Sequence, residues 1–203
     1  MRTFKVLAVL LTYPEQTWLD ALDELEVLLR QERRANGNAD ARLSELFAYL
    51  RGTSLLTLQE SYVATFDQRT CHSLHLFEHI HGESRDRGSA LVNLAEEYRC
   101  HGLEVQAAEL PDYLPLFLEF LSLRPEREGR RLLGEAVNVI ALLGERLARE
   151  VSPYAALFDV LARLSPVRPT PAPRPPRQME EAVIHFGPNP EGVEPLLKPN
   201  SPH

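Results

Sequence analysis

The chain has 203 residues, 44% of them hydrophobic, which is enough for a globular core and requires no more than one domain of ordinary size. Its formal net charge of −7 argues against a nucleic-acid partner, because phosphates are also negative, and it favours basic peptides or proteins. No apolar run reaches the ~18 residues that span a bilayer, so we expect no membrane insertion.

Four helices are predicted in the first third of the chain, where apolar residues recur at intervals of three and four. They cover residues 3–11, 15–34, about 43–52 and about 55–66. Pro14 ends the first, since the residue before a proline is pushed out of the α region. Thr53 or Ser54 is suited to cap the fourth. The first segment has the short apolar run of a signal peptide but no small-x-small cleavage site, and we interpret it as a helix of the mature protein.

Four further helices are predicted after residue 90, at residues 90–100, about 111–123, 125–151 and about 153–164. Pro115 is compatible with the second of these only if that helix starts late, near Tyr113 or Leu114. In the third, Gly134 and Gly144 each weaken the helix by roughly 1 kcal/mol relative to Ala. We therefore expect the third helix to pack closely against a neighbour at both glycines.

The composition changes at Pro166, because 11 of the 16 prolines lie between residues 166 and 203. Such a segment is extended and polyproline-like and does not build a core. The prediction is an all-α, single-domain bundle of about eight helices over residues 1–165, followed by a disordered Pro-rich tail over residues 166–203. We interpret the apolar island MEEAVIHF (residues 179–186) as part of that tail, with a short docking motif as the alternative.

Residues 62–90, YVATFDQRTCHSLHLFEHIHGESRDRGSA, combine His, Arg, Asp, Glu and aromatic side chains without a helical period, which indicates function in an otherwise helical protein. One hypothesis is a metal site. Its potential ligands are Cys71, His72, His75, Glu78, His79 and His81. The chain has no HExxH or CxxC motif and the spacing matches no standard site, so hydrogen bonds that fix an irregular loop are the simpler interpretation.

Two other kinds of site are compatible with the same stretch. Glu78, Glu83, Asp86 and the histidines are suited to act as a general acid or base. No nucleophile motif or phosphate-binding glycine loop accompanies them, so an enzyme is unsupported. The alternative is a groove in which aromatic side chains meet the apolar face of an amphipathic peptide and carboxylates meet its basic residues. Ser84 is predicted to cap the helix that follows.

Three blocks of the chain carry a family resemblance. They are YVATFD (residues 62–67), SLHLFEHIHGESRDRG (residues 73–88) and ELPDYLPLFLEFL (residues 109–121). They closely resemble the nitrate reductase molybdenum cofactor assembly chaperones, also called nitrate reductase delta subunits, within the redox-enzyme maturation chaperones. LLTYP (residues 10–14) is similar to the end of the family's first helix, whereas the Pro-rich tail lies outside the resemblance.

The resemblance implies an all-helical chaperone of the cytoplasm that is not an enzyme and has no cofactor of its own. Cys71 and Cys100, the only cysteines, fit reduced thiols in that compartment. The expected partner is the N-terminal segment of the apo catalytic (alpha) subunit of respiratory nitrate reductase, and cofactor-delivery proteins are further candidates. The chaperone would keep that subunit competent for insertion of iron–sulfur and molybdenum cofactors before membrane attachment.

The match to these motifs also selects candidate residues for binding the client peptide. They are Tyr62, Phe66, Asp67, His75, Phe77, Glu78, His79, Glu83, Arg85, Asp86, Arg87, Asp112 and Tyr113. Two alternatives remain at this point. One is a metal-dependent enzyme built on the histidine cluster His72, His75, His79 and His81. The other is a generic helical adaptor that uses its Pro-rich tail.

Overall fold

The computed structural model describes residues 1–34, 41–82, 84–105 and 109–170. These residues form ten α-helices and no β-strand, which confirms the all-α prediction. The helices are α1 (Arg2–Leu10), α2 (Gln16–Leu19), α3 (Leu22–Arg34), α4 (Ala41–Gly52), α5 (Leu55–Tyr62), α6 (Leu76–His81), α7 (Asp86–Cys100), α8 (Leu114–Ser122), α9 (Glu126–Arg149) and α10 (Ala155–Leu164). The number exceeds the eight predicted because the helix predicted over residues 15–34 is divided in two, and because α6 lies in the stretch 62–90, where no helix was predicted.

The helix predicted over residues 15–34 is divided into α2 and α3. At the division, the N–H of Ala21 donates to the Trp18 carbonyl three residues back, at 3.2 Å, instead of four residues back. Both halves still bury apolar side chains, since Trp18 and Leu22 lie in the core. The apolar spacing therefore continues across this interruption of the helix, and for that reason the sequence did not predict it.

Helix α1 lies at the centre of the core and packs against α3 and α8. Phe4, Leu7 and Leu10 on this helix have no exposed surface. Full burial of each such side chain contributes about 1.5–3 kcal/mol, so these contacts hold α1 firmly against its neighbours. The end of α1 and the start of α8 are thereby fixed on the side of the molecule where the irregular stretch lies.

Helices α9 and α10 form the other main helix pair. A methyl group at Gly144 of α9 would lie 2.9 Å from Cβ of Phe158 on α10, and one at Gly134 would lie 3.1 Å from Cγ2 of Val167. These distances confirm the predicted close packing at both glycines. Helix α8 begins at Leu114 with Pro115 in its first turn, as the late-start prediction required.

Residues Met1–Thr170 form one compact unit. The first residues of the predicted tail lie against α9, where the Thr170 N–H donates to Oδ1 of Asn138 at 2.8 Å. The predictions for residues 171–203, including their disorder and the island at 179–186, lie outside the described residues and stay predictions.

None of the described helices is long and apolar enough to cross a bilayer. Cys71 and Cys100 are both free thiols at the surface.

A candidate peptide-binding cleft

The site begins where α5 changes into a π-helical turn, Val63–Asp67. The N–H of Gln68 donates to the Val63 carbonyl five residues back, at 3.0 Å. Single π turns are rare and frequently lie at functional sites, because the extra residue redirects the side chains around them. Here the turn follows Tyr62, and it leaves Phe66 buried while Asp67 is exposed.

The irregular stretch then pairs with the start of α8. The N–H of Leu76 donates to the Asp112 carbonyl at 3.0 Å, and the N–H of Leu114 donates to the Leu74 carbonyl at 2.8 Å. His75 and Tyr113 thus form an isolated antiparallel bridge. This long-range backbone pairing fixes the directions in which the side chains of the irregular stretch point.

Asp112 stabilises this bridge from inside the protein, where it has no exposed surface. One carboxylate oxygen accepts the N–H of Phe77 at 2.9 Å, and the other lies 3.3 Å from Nδ1 of His75. Burial raises the pKa of Asp112, but the hydrogen bonds from His75 and Phe77 and the charges of His75 and Arg87 together lower it by more, so the net shift is downward. The hydrogen bond with Asp112 raises the pKa of His75 despite its partial burial.

A cleft of about 420 Å³ opens over this bridge and has an aromatic floor made of Tyr13, Tyr62, Phe66 and Tyr113. The Tyr62 and Phe66 rings are 4.9 Å apart, and the Tyr13 ring meets Tyr62 edge-on at 5.7 Å. Oη of Tyr62 donates to the Leu11 carbonyl at 2.9 Å and lies 3.1 Å from Oη of Tyr113. Because its ring and hydroxyl are both held, Tyr62 gives the floor a fixed shape.

The wall of the cleft is acidic and carries Asp67, Glu78 and Glu109. Glu78 accepts a hydrogen bond from Arg87 at 3.0 Å, and Glu109 lies 3.9 Å from Nε2 of His75. Burial raises the pKa of Asp67, and the nearby His75 offsets only part of this effect. An aromatic floor beside carboxylates is suited to a ligand that has both apolar and cationic groups.

The cleft brings together six of the thirteen candidate residues that the sequence selected. They are Tyr62, Phe66, Asp67, His75, Glu78 and Tyr113. Asp112 and Arg87 contact these residues from behind the wall without lining the cleft. Phe77, His79, Arg85 and Asp86 do not line it either. Glu83 lies outside the described residues, so its candidacy stays a prediction.

His79 does not line the cleft and instead makes contacts that stabilise the fold. Its Nε2 donates to the Ser73 carbonyl at 2.8 Å, and its Nδ1 lies 3.3 Å from the guanidinium of Arg146. The same guanidinium donates to the Cys71 carbonyl at 2.8 Å. Burial lowers the pKa of His79, and the charge of Arg146 adds to that decrease. His79 therefore joins the irregular stretch to the last turns of α9.

The metal hypothesis requires the histidines to converge, and they do not. His72 is buried with Nδ1 3.3 Å from the Thr65 carbonyl, and the ring of His81 packs edge-on against Phe77 at 5.7 Å. His79 faces a cation, which is a poor neighbour for a metal ion. Across residues 1–34, 41–82, 84–105 and 109–170, no three His, Cys, Asp or Glu side chains are arranged to hold a metal.

Ser84 was predicted to cap the helix after the irregular stretch, and this prediction is wrong by one residue. Helix α7 begins at Asp86, and Arg85 occupies the N-cap position. Oγ of Ser84 instead accepts the N–H of Asp86 at 3.2 Å. The helix also starts four residues before the predicted residue 90, because Gly88 in its first turn was not recognised as helical.

Five of the eleven cleft residues were not among the candidates: Tyr13, Thr70, Ser73, Leu74 and Glu109. Of these, Tyr13 and Glu109 add an aromatic ring and a carboxylate to the lining. Both lie inside the motifs LLTYP and ELPDYLPLFLEFL, which was the available signal. Tyr13 was interpreted only as part of a helix end. In the structure its carbonyl accepts the indole N–H of Trp18 at 3.2 Å, and the next carbonyl, of Pro14, accepts the side-chain amide of Gln59 at 2.8 Å. These two contacts hold Tyr13 beside Tyr62.

A family model described as "Nitrate reductase delta subunit" matches residues 32–159, which is more than half of the chain. The chain belongs to this family. The matched region contains the π turn, the bridge and all of the acidic wall, and the resemblance identified from the sequence motifs is confirmed.

The chain is also similar to several nitrate reductase assembly chaperones. The chain is 38% identical over 165 residues to the probable nitrate reductase molybdenum cofactor assembly chaperone NarW of Escherichia coli (strain K12), covering 81% of this chain and 68% of that protein. It is 38% identical over 161 residues to the assembly chaperone NarJ of the same strain, covering 79% and 68%. The probable NarJ of Bacillus subtilis (strain 168) is 32% identical over 159 residues, covering 78% and 85%. The delta subunit family is one of assembly chaperones, not of enzymes.

Proposed function

We propose that this delta subunit family member is the assembly chaperone of a respiratory nitrate reductase. Its cleft binds the N-terminal segment of the apo catalytic (alpha) subunit. The observation that carries the proposal is the combination, in one cleft of about 420 Å³, of four aromatic rings and three carboxylates. This lining complements a peptide with an apolar face and basic residues beside it.

The acidic wall supports this choice of ligand. Asp67 is exposed at the wall, and the nearby charge of His75 offsets only part of the upward shift of its pKa. A Lys or Arg side chain of the client would lie over the aromatic floor with its charge near Asp67 and Glu109. Cationic groups over aromatic faces gain about 0.5–2 kcal/mol, and the apolar part of the peptide gains the burial energy of its side chains.

The proposed cycle takes place in the cytoplasm. The chaperone holds the catalytic subunit while iron–sulfur and molybdenum cofactors are inserted, with cofactor-delivery proteins as further partners, and delays membrane attachment until insertion is complete. Release requires a lower affinity for the loaded subunit, because a binder with equal affinity for both client states shifts no equilibrium. The chaperone itself supplies binding and no chemistry.

Calorimetry with a synthetic peptide of the catalytic subunit's N-terminus tests the proposal. We expect saturable binding that weakens as salt is added, since exposed charges are screened. The double variant Asp67→Asn, Glu109→Gln should bind several-fold more weakly and lose part of the salt dependence. Glu24→Gln is the control, because Glu24 is exposed on α3 and does not line the cleft. Absence of binding to the wild type would refute the proposal.

A truncated chain separates this function from that of a generic adaptor. Ending the chain after Thr170 keeps the contact between Thr170 and Asn138 and removes only residues beyond the compact unit. A chaperone that uses the cleft retains peptide affinity after this truncation. An adaptor that binds through its tail loses its partner, which a pull-down of the catalytic subunit with both forms would detect.

A further inference from the structure

A second cleft, of about 340 Å³, lies beside the other end of α8. Its apolar lining comes from both sides of the cleft. Tyr98, Leu103 and Val105 belong to the end of α7 and the segment after it. Leu116 and Phe120 belong to α8, and Leu123 directly follows that helix. Leu123 borders this apolar lining and is 56% exposed, so its side chain is accessible to a ligand.

The two clefts lie along one face of α8. Tyr113 lines the first cleft, and Leu116, Phe120 and Leu123 line the second. Tyr113 and Leu123 are the residues directly before and after α8, and the intervals of three, four and three residues place the four side chains in one stripe along it. At 1.5 Å of rise per residue, the stripe is about 15 Å long. An amphipathic helix of about three turns matches this length.

The segment between the two clefts is held by hydrogen bonds on both sides. Oη of Tyr98, in the second cleft, donates to the Pro111 carbonyl at 2.8 Å. The next residue is the buried Asp112, which is hydrogen-bonded to His75 and Phe77 beneath the first cleft. A fixed distance between two binding sites lowers the entropy that a peptide loses when it occupies both.

We propose that the second cleft is a second anchor for the same client segment, which lies along α8 as an amphipathic helix. This inference rests on the proposed function. The cationic and aromatic part of the peptide occupies the first cleft, and an apolar side chain about ten residues away along the peptide occupies the second. The anchor side chain packs against Leu123, Leu116 and Phe120, which determines the register of the client on the chaperone.

Charge decides between this occupant and a second copy of the chain. Glu104 and Glu119 lie at the second cleft, and Glu119 also pairs with Lys5. Two copies that met at this face would bring together carboxylates from chains that each carry a net charge of −7. A basic peptide instead continues the charge complementarity of the first cleft. The partner is therefore the basic client segment.

The test compares Leu123→Ser with Leu56→Ser, which removes a similarly exposed leucine from α5, outside both clefts. The probe is a synthetic peptide of about 20 residues from the N-terminus of the catalytic subunit, roughly 30 Å long as a helix. By calorimetry, we expect Leu123→Ser to weaken binding about tenfold and to make the heat-capacity change of binding less negative. Leu56→Ser should leave both quantities unchanged.

Two shorter peptides, one truncated from each end, locate the anchors. One of them should lose its sensitivity to Leu123→Ser but retain its sensitivity to Asp67→Asn, and the other should show the reverse. If Leu123→Ser leaves wild-type affinity for the full peptide while Asp67→Asn weakens it, the second anchor is refuted and the proposed function stands. If sedimentation shows that Leu123→Ser converts a dimer into a monomer, the face binds a second copy and the inference is overturned.

Discussion

Oδ1 of Asp112 lies 3.3 Å from Nδ1 of His75, and the two residues are 37 positions apart in the chain. Asp112 is completely buried, whereas His75 reaches the cleft. One buried carboxylate therefore connects the core of the bundle to the surface on which we propose that the client binds. The same carboxylate accepts the N–H of Phe77, so it also fixes the first turn of α6.

Asp112→Asn should destabilise the protein by ~2–3 kcal/mol. The substitution keeps the side-chain volume but removes the charge that faces His75 and turns one acceptor oxygen into a donor nitrogen. The free energy of unfolding, measured by urea titration, gives the size of the loss. The control is Glu109→Gln on the other side of His75, where the carboxylate is half exposed and 3.9 Å away. Removal of that surface pair should cost less than ~1 kcal/mol. Equal losses in the two variants would contradict the role assigned to Asp112.

The sequence predicted the helices better than it predicted the cleft, and the Asp112–His75 pair shows why. Helices follow from apolar residues spaced three and four apart, and that signal is local. The directions of Tyr62, Phe66 and Asp67 depend on a π turn, and those of His75 and Tyr113 depend on a bridge between distant segments. Neither feature has a period in the sequence, so the motif match identified the neighbourhood without separating lining residues from supporting ones.

The break in the second predicted helix was missed from the sequence, whereas the close packing at two helix glycines was predicted. The break between α2 and α3 was missed because Trp18 and Leu22 keep the helical spacing across it. The close packing at Gly134 and Gly144 was predicted correctly, because a glycine inside a helix lowers stability unless a neighbour requires the space. A glycine that weakens a helix therefore predicts a close neighbour at that position. An uninterrupted apolar spacing, in contrast, does not exclude a turn.

Gly144→Ala should destabilise the protein by about 1–3 kcal/mol, because the new methyl group would lie 2.9 Å from Cβ of Phe158 and would force α9 and α10 apart. Gly88→Ala is the matched control, since Gly88 also lies in a helix and a methyl group there meets no atom within 4 Å. That control should stabilise the protein by about 0.5–1 kcal/mol through its helix propensity. Thermal melts of both variants test the pair. A stabilising effect of Gly144→Ala would show that the two helices are not in tight contact.

Val151→Gly should stabilise the protein by about 0.5–1 kcal/mol. Val151 follows α9 with φ at 55°, a left-handed conformation that costs a β-branched residue roughly 1–2 kcal/mol and that glycine adopts freely. Its side chain is 88% exposed, so the substitution removes little buried surface. Val151→Ala keeps the Cβ atom and should gain much less. Chemical denaturation gives the free energy of unfolding of the wild type and of both variants. Equal values would show that this turn is not strained.

The stability of the protein should depend on pH in opposite ways through two histidines of the irregular stretch. The pKa of His75 is raised by its hydrogen bond with Asp112, so His75 stabilises the fold fully below its ordinary pKa of 6.5, and this contribution is lost as the pH rises through the higher folded-state value. Burial lowers the pKa of His79, so its contribution is complete above 6.5 and is lost as the pH falls toward the lower folded-state value. Each unit of pKa shift corresponds to about 1.4 kcal/mol.

Two variants separate these effects. His75→Gln should remove the wild-type loss of stability above pH 6.5, and His79→Gln should remove the loss below it, because glutamine does not titrate. Glutamine at position 79 also keeps a donor for the Ser73 carbonyl and an acceptor for Arg146, so a general loss of packing is avoided. The difference in unfolding free energy between the wild type and each variant, followed across pH, cancels all other titrating groups. If both differences changed in the same direction with pH, either His75 would not be paired with Asp112 or His79 would not be held neutral by burial and Arg146.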